Sequence, residues 1–279
     1  MPDATLALTA PLPDLGAWVA RFRGAEIPVL AQTAEALEAM RANEDAVDAN
    51  QIGEMVAADP LMTLKVLAYA AAHRPARVVT DTETVTAALV LMGISPFFRA
   101  FGPQPTLEER LAEQPEALAG LGEVIRRAHR GATFALAFAV HRMDPDAPLI
   151  HEAALLYDFA EMLLWCHAPA LALRIRDAQR TDPTLRSAVI QREVLGIELH
   201  DLQQALMKAW RLPEMLRRIS DDRHAEQANV RNVLLAVRLA RHTAAGWDNA
   251  ALPDDVADIA SLLNLAPPAA LQLLRRIEA

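Results

Sequence analysis

Cysteine, glycine and lysine are all scarce in this chain of 279 residues, and each shortage excludes something. The single cysteine, Cys166, rules out an internal disulfide and fits a reducing compartment. Ten glycines are scattered along the sequence and none are grouped into a phosphate-cradling loop, which excludes a P-loop mechanism of nucleotide hydrolysis. Lysine occurs only at positions 65 and 208, and the formal net charge is −9, so the concentrated basic surface of a general nucleic-acid binder is missing. The short pairs Arg126-Arg127, Arg217-Arg218 and Arg275-Arg276 read as solvated helix faces. Long apolar runs are lacking too. The uncharged stretch Thr84 to Phe98 is interrupted by Gly93 and Pro96 and falls short of the roughly 20 residues that cross a bilayer. The first residues show no basic region followed by an apolar core. The expectation is a cytoplasmic, soluble protein with no nucleic-acid and no membrane partner.

What is abundant is helix-forming. Hydrophobic residues make up 53% of the chain, ample for a packed core, and Ala, Leu and Arg dominate without alternating Val/Ile/Thr runs. This predicts an all-α fold. The opening as far as Pro13 reads as loose, followed by a short amphipathic piece, Asp14 to Phe22, that can dock Trp18, Val19 and Phe22 on the body. Helices are expected over Thr33 to Arg41 and Ile52 to Ala58. Another starts at Asp59-Pro60, with Asp as cap and Pro at the first position. A helix from Thr84 to Met92 ends at Gly93, and Gly102-Pro103-Gln104-Pro105 marks a change of subdomain. Beyond it, a long helix over Leu121 to Arg142 carries Ile125, Ala128, Ala132, Ala135 and Ala139 as one buried stripe with His129 at its edge. Further helices are expected around residues 171–179, 184–195, 199–210, 213–219, 230–243 and 254–263, with Pro267-Pro268 opening a terminal turn.

The stretch Ala153 to Trp165 is apolar apart from Asp158 and Glu161, and reads as a helix with Asp158 in its middle. Removing an ionised carboxylate from water costs several kcal/mol unless a cation, a metal or several donors compensate. Asp158 is therefore either a structural carboxylate, bonded to His129 or an arginine, or part of a metal site. Tyr157 precedes it, and a phenol that stays protonated near neutrality is a poor ligand for a divalent ion. Cys166 sits in an apolar context with no activating neighbour, and Trp165 and Trp210 read as core aromatics. His200 reads as a packing or capping residue at a helix start, and histidines 73, 141, 151, 167, 224 and 242 as surface or partly buried.

Several segments in succession resemble the HDOD domain, a signalling relative of the HD phosphohydrolases. They are Ile27-Pro28-Val29-Leu30; Asp59-Pro60-Leu61 with Thr63, Leu64, Val66 and Leu67; Val85, Ala88 and Met92-Gly93; Leu155-Leu156-Tyr157-Asp158; and Glu193 to His200, continuing into Trp210-Arg211-Leu212-Pro213. The resemblance covers about residues 25 to 265. It implies an N-terminal extension (1–24), an N-terminal helical subdomain (25–105) and an HD-like helical subdomain (106–279). In catalytic relatives, histidines, a His-Asp pair and a later Asp surround one or two metals that activate water. Here His129 matches the first histidine and Asp158 the aspartate, while Tyr157 stands for the paired histidine and Val237 for the last aspartate. Ala160 replaces a usual glycine, and Ala70-Ala71-Ala72 a usual Asn-Ser.

With two donors lost, the resemblance implies a bacterial, non-enzymatic regulator. It would have no cofactor and no metal at the vestigial positions, and would bind other signalling proteins through the groove between its subdomains, with self-pairing into a homodimer left open. The alternatives are a metal-dependent phosphohydrolase using His129 and Asp158, and a module binding a small nucleotide such as a cyclic dinucleotide through Arg126, Arg127 or Arg130.

Overall fold

The computed structural model describes residues 7–74 and 83–278. Of the loose opening, residues 1–6 lie outside the described residues. The regular elements among the described residues are helices, and the one extended contact is a parallel bridge between Val29 and Thr106. In chain order the helices are α1 (Leu15–Arg23), α2 (Ala31–Ala42), α3 (Ala49–Ala57), α4 (Pro60–Ala72), α5 (Val85–Met92), α6 (Ile94–Ala100), α7 (Leu107–Arg110), α8 (Pro115–His141) and α9 (Ala147–Leu155). They continue as α10 (Phe159–His167), α11 (Pro169–Thr181), α12 (Ser187–Leu195), α13 (Leu199–Ala209), α14 (Glu214–Ile219), α15 (Ala228–His242), α16 (Leu252–Leu263) and α17 (Pro267–Ile277). No single helix among the described residues is long and apolar enough to cross a membrane. Two compact units emerge: residues 1–125 with 158–212, and residues 126–157 with 213–279.

In the first unit, Asp59 shows how local sequence sets the architecture. It is buried, caps α4 by accepting from the amides of Leu61 (2.9 Å) and Met62 (3.1 Å), and accepts from the Leu30 amide at 2.7 Å. One carboxylate thus satisfies the orphan donors of α4 and ties down the entry to α2. Burial nevertheless pushes its carboxyl above the ordinary value, outweighing those hydrogen bonds. Gly93 closes α5 with φ of +83°, donating to the Leu89 carbonyl, a conformation that favours glycine. The amphipathic N-terminal piece is built into the core: Trp18 and Phe22 are fully buried, and the Trp18 indole donates to the Leu195 carbonyl at 3.2 Å, beside α13. Trp165 is buried against Gly120, where an added Cβ would lie 2.5 Å from the indole. A larger residue at Gly120 would hold that ring away from α8.

Two sequence expectations are corrected. His167 is fully buried, not partly so: its Nδ1 lies 2.9 Å from Arg110 Nη2, and Arg110 Nε donates to the Cys166 carbonyl at 2.8 Å. Burial and the Arg110 guanidinium drive the imidazole pKa down to about 3, so it stays neutral and accepts the arginine's hydrogen bond. The helix expected to carry Asp158 in its middle is two helices. α9 ends at Leu155, and Asp158 occupies the N-cap position of α10, where its carbonyl accepts from the Met162 amide at 3.1 Å.

In the second unit α15 is the hub, packing against α9, α14 and α16. Its contacts follow from the apolar stripe Val230, Val233, Leu235 to Val237, Leu239 and Ala240. α16 ends at Asn264 in the left-handed conformation and α17 packs back on it, so Pro267-Pro268 opens a helix where the sequence suggested only a turn.

Candidate functional site

Three of the positions singled out in sequence, His129, Tyr157 and Val237, lie in the second unit. α8 carries His129, and its stripe Ala128, Ala132, Ala135 and Ala139 is buried as its period requires. Small residues let α8 and α15 approach: a Cβ at Gly131 would lie 3.5 Å from Val237 Cγ2 and 3.8 Å from Ala240 Cβ. Val237 is buried and serves as packing. Asn232 is fully buried one turn earlier; with its nitrogen toward Ala135, its amide donates to the Ala135 carbonyl and accepts from the Ala139 amide, both at 3.1 Å. It locks the register of α15 on α8, since a slip would strand a buried amide.

Tyr157 is half-buried in the turn after α9, and the guanidinium of Arg241 stands over its ring, 5.7 Å from the centroid. Val237 and Arg241 are one turn apart on α15, so Gly131 and Tyr157 address the same stretch of that helix. Asp158, the following residue, is buried and belongs to the first unit.

His151, expected to be surface or partly buried, is half-buried. Burial depresses its pKa, and the proximity of His129 depresses it further, since two imidazolium charges repel. His151 thus faces the neighbourhood of His129 as a neutral ring. The arginines considered for phosphate binding are partly committed. Arg130 donates to the Ala240 carbonyl (3.1 Å), to Thr243 Oγ1 (2.6 Å) and to Glu278 (2.8 Å). Asp255 is buried and pairs with Arg238 Nε at 2.7 Å and with His242 Nδ1 at 2.6 Å, while Arg238 Nη2 reaches Asp258 at 2.5 Å. These pairs tie α15 to α16. Asn232 carried a readable signal, a lone amide on the apolar stripe of α15; the pairing of Arg241 with Tyr157 carried none, because it joins residues 84 apart.

In the first unit, Cys166 and Trp165 are both buried, as expected of core residues. Burial pushes the Cys166 thiol up to about 12, which removes it as a nucleophile near neutrality. Trp210 is half-buried, its ring 5.9 Å from that of Phe159.

The HDOD domain pattern matches residues 27–226, most of the chain, across both units. The chain belongs to the HDOD family. Two solved structures share the fold. One is the MmoQ response regulator from Methylococcus capsulatus str. Bath, at 19% identity and a TM-score of 0.66, covering 90% of this chain and 99% of that one. The other is a virulence factor from Campylobacter jejuni subsp. jejuni, at 16% identity and a TM-score of 0.64, covering 95% and 98%. No curated protein matches this chain in sequence.

Proposed function

We propose that this HDOD protein is a non-catalytic regulator in bacterial signalling that acts by binding other proteins. The observation that carries the reading is the use made of the two positions that should supply metal donors. Val237 has no donor atom and fills the contact with Gly131, and Tyr157 faces the Arg241 guanidinium. A cation over the ring also disfavours a second cation nearby. Two substitutions of donors by non-donors leave His129 and Asp158 short of the ligand set a catalytic site needs to fix a metal and lower the pKa of its water. The nucleotide reading is less favoured, because Arg130 already holds Glu278 and Thr243.

The test is turnover of bis(4-nitrophenyl) phosphate with added Mn²⁺, Fe²⁺ or Zn²⁺, compared with the Asp158→Ala variant. The wild type is expected at the background rate and indistinguishable from the variant. Metal-dependent turnover that disappears with Asp158→Ala would overturn the reading and make the chain a phosphohydrolase.

A further inference from the structure

The end of α15 fixes the guanidinium of Arg130. Nη1 donates to the Ala240 carbonyl at 3.1 Å and Nη2 to Thr243 Oγ1 at 2.6 Å. Thr243, the residue that closes α15, is buried, and its hydroxyl donates in turn to the Leu239 carbonyl at 2.7 Å. An arginine held in this way loses little further freedom when its remaining donors meet an anion.

Those donors hold a carboxylate. Glu278, which caps α17, accepts at Oε1 from Arg130 Nε at 2.8 Å and also from Nη2, and at Oε2 from the Trp247 indole at 2.9 Å. Both oxygens are served, and the charge-assisted bonds from the arginine are of the strong kind. Trp247 reaches the site from the loop after α15, where Gly246 turns the chain at φ of +122°, a conformation that favours glycine. Arg275 stands over the Trp247 ring, its guanidinium 4.9 Å from the centroid.

The occupant is lightly held. α17 packs on α16, but of its eleven residues only Ala270 and Leu274 are buried, and the Glu278 side chain is 25% exposed. A helix end with so little buried surface opens locally while the rest of its unit stays folded. The charges are also unequal. Arg130 and Arg275 both stand at the site, and among the described residues Arg275 has no carboxylate partner. A ligand with neighbouring carboxylates answers both guanidinium groups, whereas Glu278 answers one. The resident group is a carboxylate, and Arg275 already covers the ring where a base would stack, which favours an acidic peptide over a nucleotide.

We infer that Arg130, Trp247 and Arg275 form a receptor for an acidic segment of a partner protein, and that Glu278 occupies it in cis as a competing ligand. This rests on the protein-binding reading above and names its surface and its control.

The experiment follows the fluorescence anisotropy of a labelled octapeptide of alternating Asp and Glu as the full chain is added. Wild type is compared with Glu278→Ala, and with Glu278→Ala combined with either Trp247→Phe or Arg275→Gln; circular dichroism checks the fold of each. Removing the internal competitor raises the fraction of open sites, so Glu278→Ala is expected to bind about tenfold more tightly than wild type. Either second substitution should cancel that gain. Equal affinity of wild type and Glu278→Ala would make the contact a fixed structural clamp and overturn the inference, leaving the protein-binding reading standing. A gain that survives both second substitutions would also overturn it, since the peptide would then bind elsewhere on the chain. So would displacement of the bound peptide by cyclic di-GMP, which would make this a nucleotide site.

Discussion

The guanidinium of Arg241 stands over the Tyr157 ring, 5.7 Å from its centroid, so the tyrosine faces a protein cation. A half-exposed cation–π pair is worth about 0.5–1 kcal/mol. A double-mutant cycle of Arg241→Ala and Tyr157→Leu by chemical denaturation is expected to give a coupling energy in that range. Additive effects would show that the pair is a mere proximity.

Two glycines of α8 give opposite expectations. At Gly120 an added Cβ would lie 2.5 Å from the Trp165 ring, and at Gly131 it would reach Val237 at an ordinary 3.5 Å. Gly120→Ala should destabilise by about 1–3 kcal/mol through overpacking against a rigid indole. Gly131→Ala should be neutral or stabilise by up to about 1 kcal/mol, since alanine is the better helix former. Thermal unfolding of the two variants side by side checks the sign of each.

His167 makes stability depend on pH. Its folded-state pKa of about 3 lies below the ordinary value near 6.5, so the contribution is complete above pH 6.5 and is lost as pH falls toward 3. Between pH 7 and pH 5 the unfolded chain takes up a proton that the buried ring refuses, which costs about 2 kcal/mol. Urea unfolding at the two pH values should show this loss in the wild type and its removal from the pH dependence of His167→Gln. An unchanged dependence in the variant would mean that His167 is protonated in the folded state.

Cys166 is expected to resist a disulfide reagent such as DTNB at pH 8 in the folded protein and to react fully in denaturant. Its burial and a thiol pKa of about 12 leave almost no thiolate to react. Stoichiometric reaction within seconds under native conditions would contradict the packing described.

Features set by neighbouring residues were legible in the sequence. Asp59-Pro60 reads as a helix start and is one, because both cap and first-turn proline act within four residues. Gly93 and the alanine stripe of α8 are legible for the same reason. The break at Leu156 to Asp158 is hidden, since the apolar run continues across it with no Gly or Pro, and only packing decides where the helix stops. His167 is hidden as well. A histidine at a helix end reads as solvent-facing, and its burial depends on Arg110, 57 residues away. Of the proposed site, the identities of Tyr157 and Val237 were legible in the sequence. What they touch, Gly131 against Val237 and Arg241 over Tyr157, is tertiary packing that no local pattern encodes.

The claim that these positions no longer serve a metal is tested most directly by metal content, measured by mass spectrometry on protein purified without a chelator or a metal-affinity step. The account predicts iron, manganese and zinc each well below one ion per chain, because two non-donor residues leave too few ligands for tight binding. Near-stoichiometric metal that is lost in both His129→Ala and Asp158→Ala would contradict it.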